Sequence, residues 1–383
     1  MPGTFRADHV GSLLRPPELL QARQDHFDGK ITAEQLRQVE DASVLKALDL
    51  QKQAGISVFT EGEYRRAGWS TAVRSAIEGL TPATGLAPSR LLGTWQGPHG
   101  DLANRTMQSG TGVMGASGMV VADKIRQVRR LAGDEAAFLK QHAPGPWKVT
   151  MPGPYSAGGQ LWREGFTDRV YASKKDFIYE IVGMLKNEIA LLIDEGCSYI
   201  QLDSLHYVER VTDKTIRRRM IEDGEDPYTY LEDLIAADNA VLEGAKRDNV
   251  TIGMHMCRGN NRSALHAEGS YEEMAEKAFN QLNVDRFLLE YDTERAGGFE
   301  PLRFMPKNKM VVLGLISSKE PILESLDDLR RRIDEAAKYV PIENLAISPQ
   351  CGFASTALGN LLTWDEQRRK LELVVEVAQK VWG

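Results

Sequence analysis

Along the chain, short segments of strand character, some of them nearly all apolar, alternate with longer stretches in which apolar residues recur every three or four positions. A continuous run of four to seven apolar residues suits a strand covered on both faces, and the longer period suits an amphipathic helix packed over it. The first run, 5–12, ends in His9-Val-Gly-Ser12 and precedes an amphipathic stretch over 32–53 that Gly55 terminates. The second, 57–63, reads Ser-Val-Phe-Thr-Glu-Gly-Glu. From Trp147 the rhythm is regular, with predicted strands at 147–151, 199–203, 251–257, 284–290, 310–316 and 345–348. Predicted helices at 174–195, 227–246, 271–281, 326–339 and 363–381 accompany them, with a loop and short helical stretch after 290. The interval 64–146 breaks the rhythm. Its Gly-rich piece (97–118) and single helical stretch near 123–141 read as an insertion or lid over one end of the fold.

Eight strands in alternation with helices predict an α/β chain, a (β/α)8 TIM barrel with an insertion between strands 2 and 3, in one domain spanning 1–383. No Gly-x-Gly-x-x-Gly follows the first strand, which argues against a dinucleotide-binding sheet. A net charge of −7 and the lack of polybasic runs give no case for nucleic acid or a membrane surface. No segment approaches the ~18 uninterrupted apolar residues of a membrane span. The N-terminal residues lack a signal-peptide apolar core, so a cytoplasmic location is expected. Three cysteines, Cys197, Cys257 and Cys351, are too few for a disulfide framework and read as ligands, nucleophiles or core residues.

The polar residues sharpen the picture. Predicted strands end on Ser12, Glu63, Asp203, His255 with Cys257, Glu290, and Cys351. Barrel active sites form at this C-terminal rim, where strand ends point inward and the following loops surround them. His255 and Cys257, two apart on one strand, project to the same side. With Glu290 and Cys351 they make a sensible tetrahedral set for Zn2+. Two thiolates and a carboxylate leave such a centre with a net charge of about −1, poor for making hydroxide and better suited to holding a substrate thiol as thiolate. Glu290 is the ligand expected to loosen when that thiol arrives. A purely structural zinc is the competing reading, although such sites favour clustered Cys-x-x-Cys knuckles.

These residues, with Gly62-Glu63, Thr150-Met-Pro-Gly-Pro154 and Gln201-Leu-Asp203, resemble the catalytic barrel of cobalamin-independent methionine synthase. The strings His255-Met-Cys-Arg-Gly-Asn-Asn-Arg262 and Ser348-Pro-Gln-Cys-Gly-Phe-Ala-Ser355 are similar to its short single-barrel, methionine synthase II-like branch. The resemblance implies that His255, Cys257, Glu290 and Cys351 bind zinc, that the zinc binds the sulfur of homocysteine, and that methyltetrahydrofolate gives the methyl group. It makes Ser12, Glu63 and Asp203 the amino-acid contacts, the two carboxylates taking the ammonium and Ser12 the carboxylate. Salt bridges from Glu63 and Asp203 to Arg65 or Arg66 are the bland alternative. A chain of this length has no room for the family's second, N-terminal barrel, and Ser317 stands where its seventh strand carries a proton-transferring His. Both departures bear on the alkyl donor. His206 is a candidate for the vacated proton role. The branch also includes epoxyalkane:coenzyme M transferases, in which a thiolate opens an epoxide. Arg258 and Arg262 would suit a sulfonate or carboxylate by bidentate contacts, or brace the loop. His9 reads either as a substrate contact or as a packed residue, and Cys197 as structural. Trp69, Trp95 and Trp162 read as packing residues, any of which would suit stacking on a flat donor. The expected partners are therefore a small thiol and an alkyl donor, and a homo-oligomer is compatible with the sequence.

Overall fold

Val, Ile, Leu, Met and Phe dominate the apolar positions of the predicted strands from 147 onward. In a computed structural model, which describes residues 4–83, 95–108 and 118–383, the strands in chain order are β1 (Ile77–Pro82), β2 (Met119–Gln127), β3 (Lys148–Pro152), β4 (Tyr199–Ser204), β5 (Thr251–Met256), β6 (Arg286–Glu290), β7 (Met310–Ile316) and β8 (Leu345–Pro349). β3 to β8 form one parallel sheet in sequence order. All their residues are buried, as expected of strands covered by helices outside and by the barrel interior within. Register sets the site: Asp203 lies opposite His255 across the β4–β5 pair.

The runs at 5–12 and 57–63 complete the (β/α)8 barrel as extended segments with less ladder than predicted. Each makes one parallel bridge, Ala7 to Ile347 of β8 and Phe59 to Trp147 just before β3. The two segments also join each other. Leu13 N donates to the Gly62 carbonyl at 3.1 Å, and the Thr60 hydroxyl to the Gly11 carbonyl at 2.9 Å. The ladder stops early because Gly62 (φ 76°) and Glu63 (φ 60°) take left-handed backbone, which no strand accommodates. Gly11 (φ 132°) is required as well, since a Cβ there would fall 2.5 Å from Thr150 Cγ2.

A polar layer fills the lower barrel, which the apolar pattern did not predict. Lys148 Nζ donates to Asp8 Oδ1 (2.8 Å) and Gln201 Oε1 (2.9 Å), and the Tyr199 hydroxyl donates to Asp8 Oδ2 (3.0 Å). Arg286 lies 3.5 Å from the same carboxylate. A buried lysine and aspartate are tolerated because each finds several partners. Gln201 Nε2 continues the chain upward to Asp203 Oδ1 at 2.7 Å.

Within 64–146 the expected helix at 123–141 is corrected. Met119–Gln127 is strand β2, antiparallel to β1, and a helix occupies Gly133–His142. Val120, Val121 and Ile125 are β-branched and bury against the barrel side, which suits a strand better than a helix. Residues 84–94 and 109–117, the latter part of the Gly-rich piece, lie outside the described residues. No described helix is long and apolar enough to cross a membrane.

Candidate metal centre

His255 sits one residue before the end of β5, and Cys257 just past it, so both project from the same strand end. His255 Nδ1–H donates to the Leu288 carbonyl (3.2 Å), which leaves Nε2 facing the cluster, buried and without a hydrogen-bond partner. Glu290 closes β6 and Cys351 follows β8 by two residues. One ligating atom from each of these four buried residues lies within 4.8 Å of every other. Cys257 Sγ and Cys351 Sγ are 3.6 Å apart and not bonded. Two sulfurs sharing one zinc at ~2.3 Å with tetrahedral angles stand about 3.8 Å apart, so the spacing fits the ion. The orphaned Nε2, 3.9 Å from Glu290 Oε1, fits as the imidazole ligand. Among the described residues no other group of three or more His, Cys, Asp or Glu side chains converges in this way.

The electrostatics agree with that chemistry. Cys257 donates to Cys351, and the imidazole of His255 lies beside it, so the Cys351 thiol is held well below the ordinary range. The Cys257 thiol, paired with that thiolate and buried, is pushed well up. Burial lowers the proton affinity of His255, but the Cys351 thiolate, Asp203 and Glu290 outweigh it and raise it to about 9.

Two cations that the sequence did not single out support this pocket. Arg295 donates to Glu290 Oε2 at 3.0 Å, while Oε1 accepts from Arg258 N at 2.7 Å, so the carboxylate is oriented from both sides. Lys319 Nζ donates to Gly259 O (3.1 Å), Asn260 Oδ1 (2.8 Å) and Ala264 O (3.2 Å), pinning the loop that follows the His255–Cys257 pair. Asn260 Nδ2 in turn donates to the Gly352 carbonyl at 2.7 Å, next to Cys351. No local signal marks these residues; their roles depend on contacts from distant loops.

The structure brings the other rim residues to the same place. Ser12 is joined to the Cys351 loop. Its hydroxyl accepts from Ala354 N (3.3 Å) and its carbonyl accepts from Phe353 N (2.9 Å). A Cβ on Gly352 would lie 2.0 Å from Ser12 Oγ, so any other residue there would displace the Ser12 hydroxyl. Asp203 is buried, and burial together with the charges of Glu63 and Cys351 pushes its carboxyl up to about 7, against the pull of His255. Burial also raises the Glu63 carboxyl. Glu63 Oε1 accepts from the Thr150 hydroxyl at 2.8 Å, and Oε2 has no partner. The alternative salt bridges are weakly made. Arg66 forms a two-pronged pair with Glu135 and comes only to 4.0 Å from Glu63, while Arg65 pairs with Glu40 and Asp41.

Four predicted residues are placed otherwise. The Arg258 guanidinium is fully buried over the Tyr271 ring, 4.4 Å from its centroid, and donates to Gly269 O at 2.6 Å, which is the bracing role. Arg262 is half-buried in left-handed backbone (φ 48°), and its Nε has no hydrogen-bond partner. His206 bonds through Nδ1 to the Tyr230 hydroxyl at 2.7 Å, and burial plus Arg210 lowers its pKa to about 3. The Ser317 hydroxyl accepts from Lys319 N at 3.2 Å, closing a turn. His9 is a packed residue: Nε2 bonds the Val58 carbonyl at 3.2 Å, and burial, with Lys148 nearby, lowers its pKa to about 4. Cys197 is buried below the sheet with Sγ 3.2 Å from the Tyr199 carbonyl. Trp95 packs tilted against His266 and Trp162 against Phe177, whereas Trp69 N donates to the Ser355 carbonyl, four residues past Cys351.

Fold and rim together define a (β/α)8 barrel with a thiolate-rich candidate metal centre at the C-terminal ends of its strands. Residues 163–380 match the family model described as the catalytic domain of cobalamin-independent synthases, and the chain belongs to that family. The Bacillus subtilis protein YxjH is 36% identical over 99% of this chain and 95% of its own length. The methionine synthase of Sulfurisphaera tokodaii is 25% identical over 90% of this chain and 84% of its own. Among solved structures, a Listeria monocytogenes protein assigned as a vitamin-B12 independent methionine synthase superposes with a TM-score of 0.72 at 26% identity, covering 100% of this chain and 99% of that one. A B12-independent methionine synthase from Shewanella sp. W3-18-1, solved with selenomethionine, shares the fold at a TM-score of 0.70 and 19% identity over 98% and 97% of the two chains.

Proposed function

We propose that this protein is a zinc-dependent thiol methyltransferase, with homocysteine as acceptor and a methyltetrahydrofolate as donor. One observation carries the reading: four buried ligating atoms within 4.8 Å of one another, on three barrel strand ends, beside two buried carboxylates of which Glu63 has a cation no nearer than Arg66 at 4.0 Å. Zinc held by His255, Cys257, Glu290 and Cys351 would supply a thiolate from the substrate at neutral pH and keep that sulfur nucleophilic.

The chain's own residues do the positioning. Glu63 and Asp203 are costly to ionise where they stand, and a substrate ammonium between them repays that cost. Ser12 and the adjoining backbone of the Cys351 loop receive the substrate carboxylate. Arg295 steadies Glu290 through one oxygen, so the carboxylate can slacken without being lost from the pocket. The insertion reads as a cover for this rim, since Gln96 pairs with Leu265 on the loop that leaves the His255–Cys257 strand. The same pair of carboxylates disfavours a sulfonate-bearing thiol such as coenzyme M, and the Arg258 guanidinium lies over the Tyr271 ring and donates to Gly269 O.

Mass spectrometry of products from the zinc-loaded enzyme tests the reading. With homocysteine and methyltetrahydrofolate, methionine is expected. Thioether formed only from coenzyme M and an epoxide would overturn it.

A further inference from the structure

We infer that Arg15 is a positioning residue that creates the site's preference for an acceptor bearing an ammonium group, by holding Glu63 from behind; this rests on the ammonium-binding role proposed for Glu63. Arg15 lies three residues past Ser12 and is 5% exposed. Its Nη2 donates to the carbonyl oxygens of Glu63 (2.8 Å) and Arg66 (3.0 Å), and its Nη1 to those of Ala354 (3.2 Å) and Thr356 (3.1 Å). One guanidinium therefore joins the three loops that carry Ser12, Glu63 and Cys351. All four partners are backbone carbonyls, so the contact fixes main chain and leaves side chains free.

Glu63 needs such a hold. Its φ of 60° is left-handed backbone, unfavourable for a non-glycine residue, and persists only where the surroundings enforce it. Three contacts enforce it here. Leu13 N donates to the Gly62 carbonyl, Arg66 N donates to the Glu63 carbonyl at 3.2 Å, and Arg15 donates to that same carbonyl. Thr150 then fixes Glu63 Oε1, and Oε2 is left without a protein partner. The planar fork of arginine spans carbonyls on two sides; the single nitrogen of lysine cannot reach both pairs.

The test compares homocysteine with 4-mercaptobutyrate, which keeps the thiol and carboxylate but lacks the ammonium, in the zinc-loaded wild type and in Arg15→Lys. Loss of the positioning should raise KM for homocysteine at least about tenfold, the scale of one charged hydrogen bond. The KM for 4-mercaptobutyrate should rise several-fold less than that for homocysteine, and kcat and zinc per chain should change less than about twofold. A second variant, Arg15→Gln, should show the same pattern, and added guanidinium should restore KM for homocysteine alone. Equal losses with both thiols, loss of zinc, or failure of both variants to fold would make Arg15 a scaffold residue and overturn the inference. A wild-type preference that survives in both variants also overturns it, with Glu63 untouched. A wild type without any preference overturns the ammonium role of Glu63 itself, and the inference with it.

Discussion

Replacing Glu63 by Gln separates a binding carboxylate from a structural one. The substitution keeps the shape and the bond from Thr150, because an amide oxygen accepts that hydroxyl as Oε1 does at 2.8 Å. What goes is the charge opposite the substrate ammonium. Removing one partner of a buried, hydrogen-bonded charge pair costs about 3 kcal/mol, which is about 150-fold in kcat/KM. Stability should move the other way. Burial raises the Glu63 carboxyl above its unfolded value, so the folded state holds that proton more tightly than the unfolded chain does. Above the unfolded pKa an ionised Glu63 is therefore a burden on the free protein, and Glu63→Gln should leave the melting temperature at pH 8 unchanged or higher. Initial rates over a homocysteine series and calorimetry on the same preparations supply both numbers. A loss of less than about threefold in kcat/KM, against the 150-fold expected, would refute the reasoning. So would a melting temperature that falls, since Glu63 would then be holding the barrel together.

Three further outcomes are expected. Arg295→Met removes the 3.0 Å bond to Glu290 Oε2 and should weaken zinc binding by about 10–100-fold, the usual effect of losing a group that orients a ligand; competition with a chromophoric chelator measures it. Lys319→Met strips three acceptors of a buried donor and should cost roughly 2–3 kcal/mol of unfolding free energy in denaturant titrations, with weaker zinc retention. Glu61 is buried with Oε1 unpartnered, and burial with Glu135 nearby raises its pKa to about 8. Its contribution to stability is present below about pH 4.5 and is lost as pH rises through about 8, so Glu61→Gln should flatten the decline in melting temperature over that window.

Much of the site was legible because its members sit at strand ends. His255 and Cys257 leave one strand end, and Glu290 and Cys351 end or follow others, so counting strands was enough to place these four side chains on one rim. Ser12, Glu63 and Asp203 were legible for the same reason. The supporting cations were not. Arg15 bonds residues 48 to 341 positions away, and Lys319 reaches back 55 to 60. A lone basic residue in a loop gives no hint of which distant carbonyls it will meet. Arg258 and Arg262 attracted notice by adjacency to the metal pair, yet tertiary packing drew Arg258 onto Tyr271. The strand β2 was hidden because its charged residues, Asp123, Lys124 and Arg126, mask the alternation that the buried Val121 and Ile125 carry. The left-handed turn at Gly62 and Glu63 shortened the second barrel segment, an effect that no hydrophobic period encodes.

The central claim is that the four-ligand pocket holds zinc and presents it to a thiol. X-ray absorption at the zinc edge, on protein purified without chelator and then given homocysteine, addresses it directly. The account predicts one zinc per chain with about two sulfur neighbours, becoming about three on addition of homocysteine. Protein without zinc, or a sulfur count that homocysteine leaves unchanged, would contradict it.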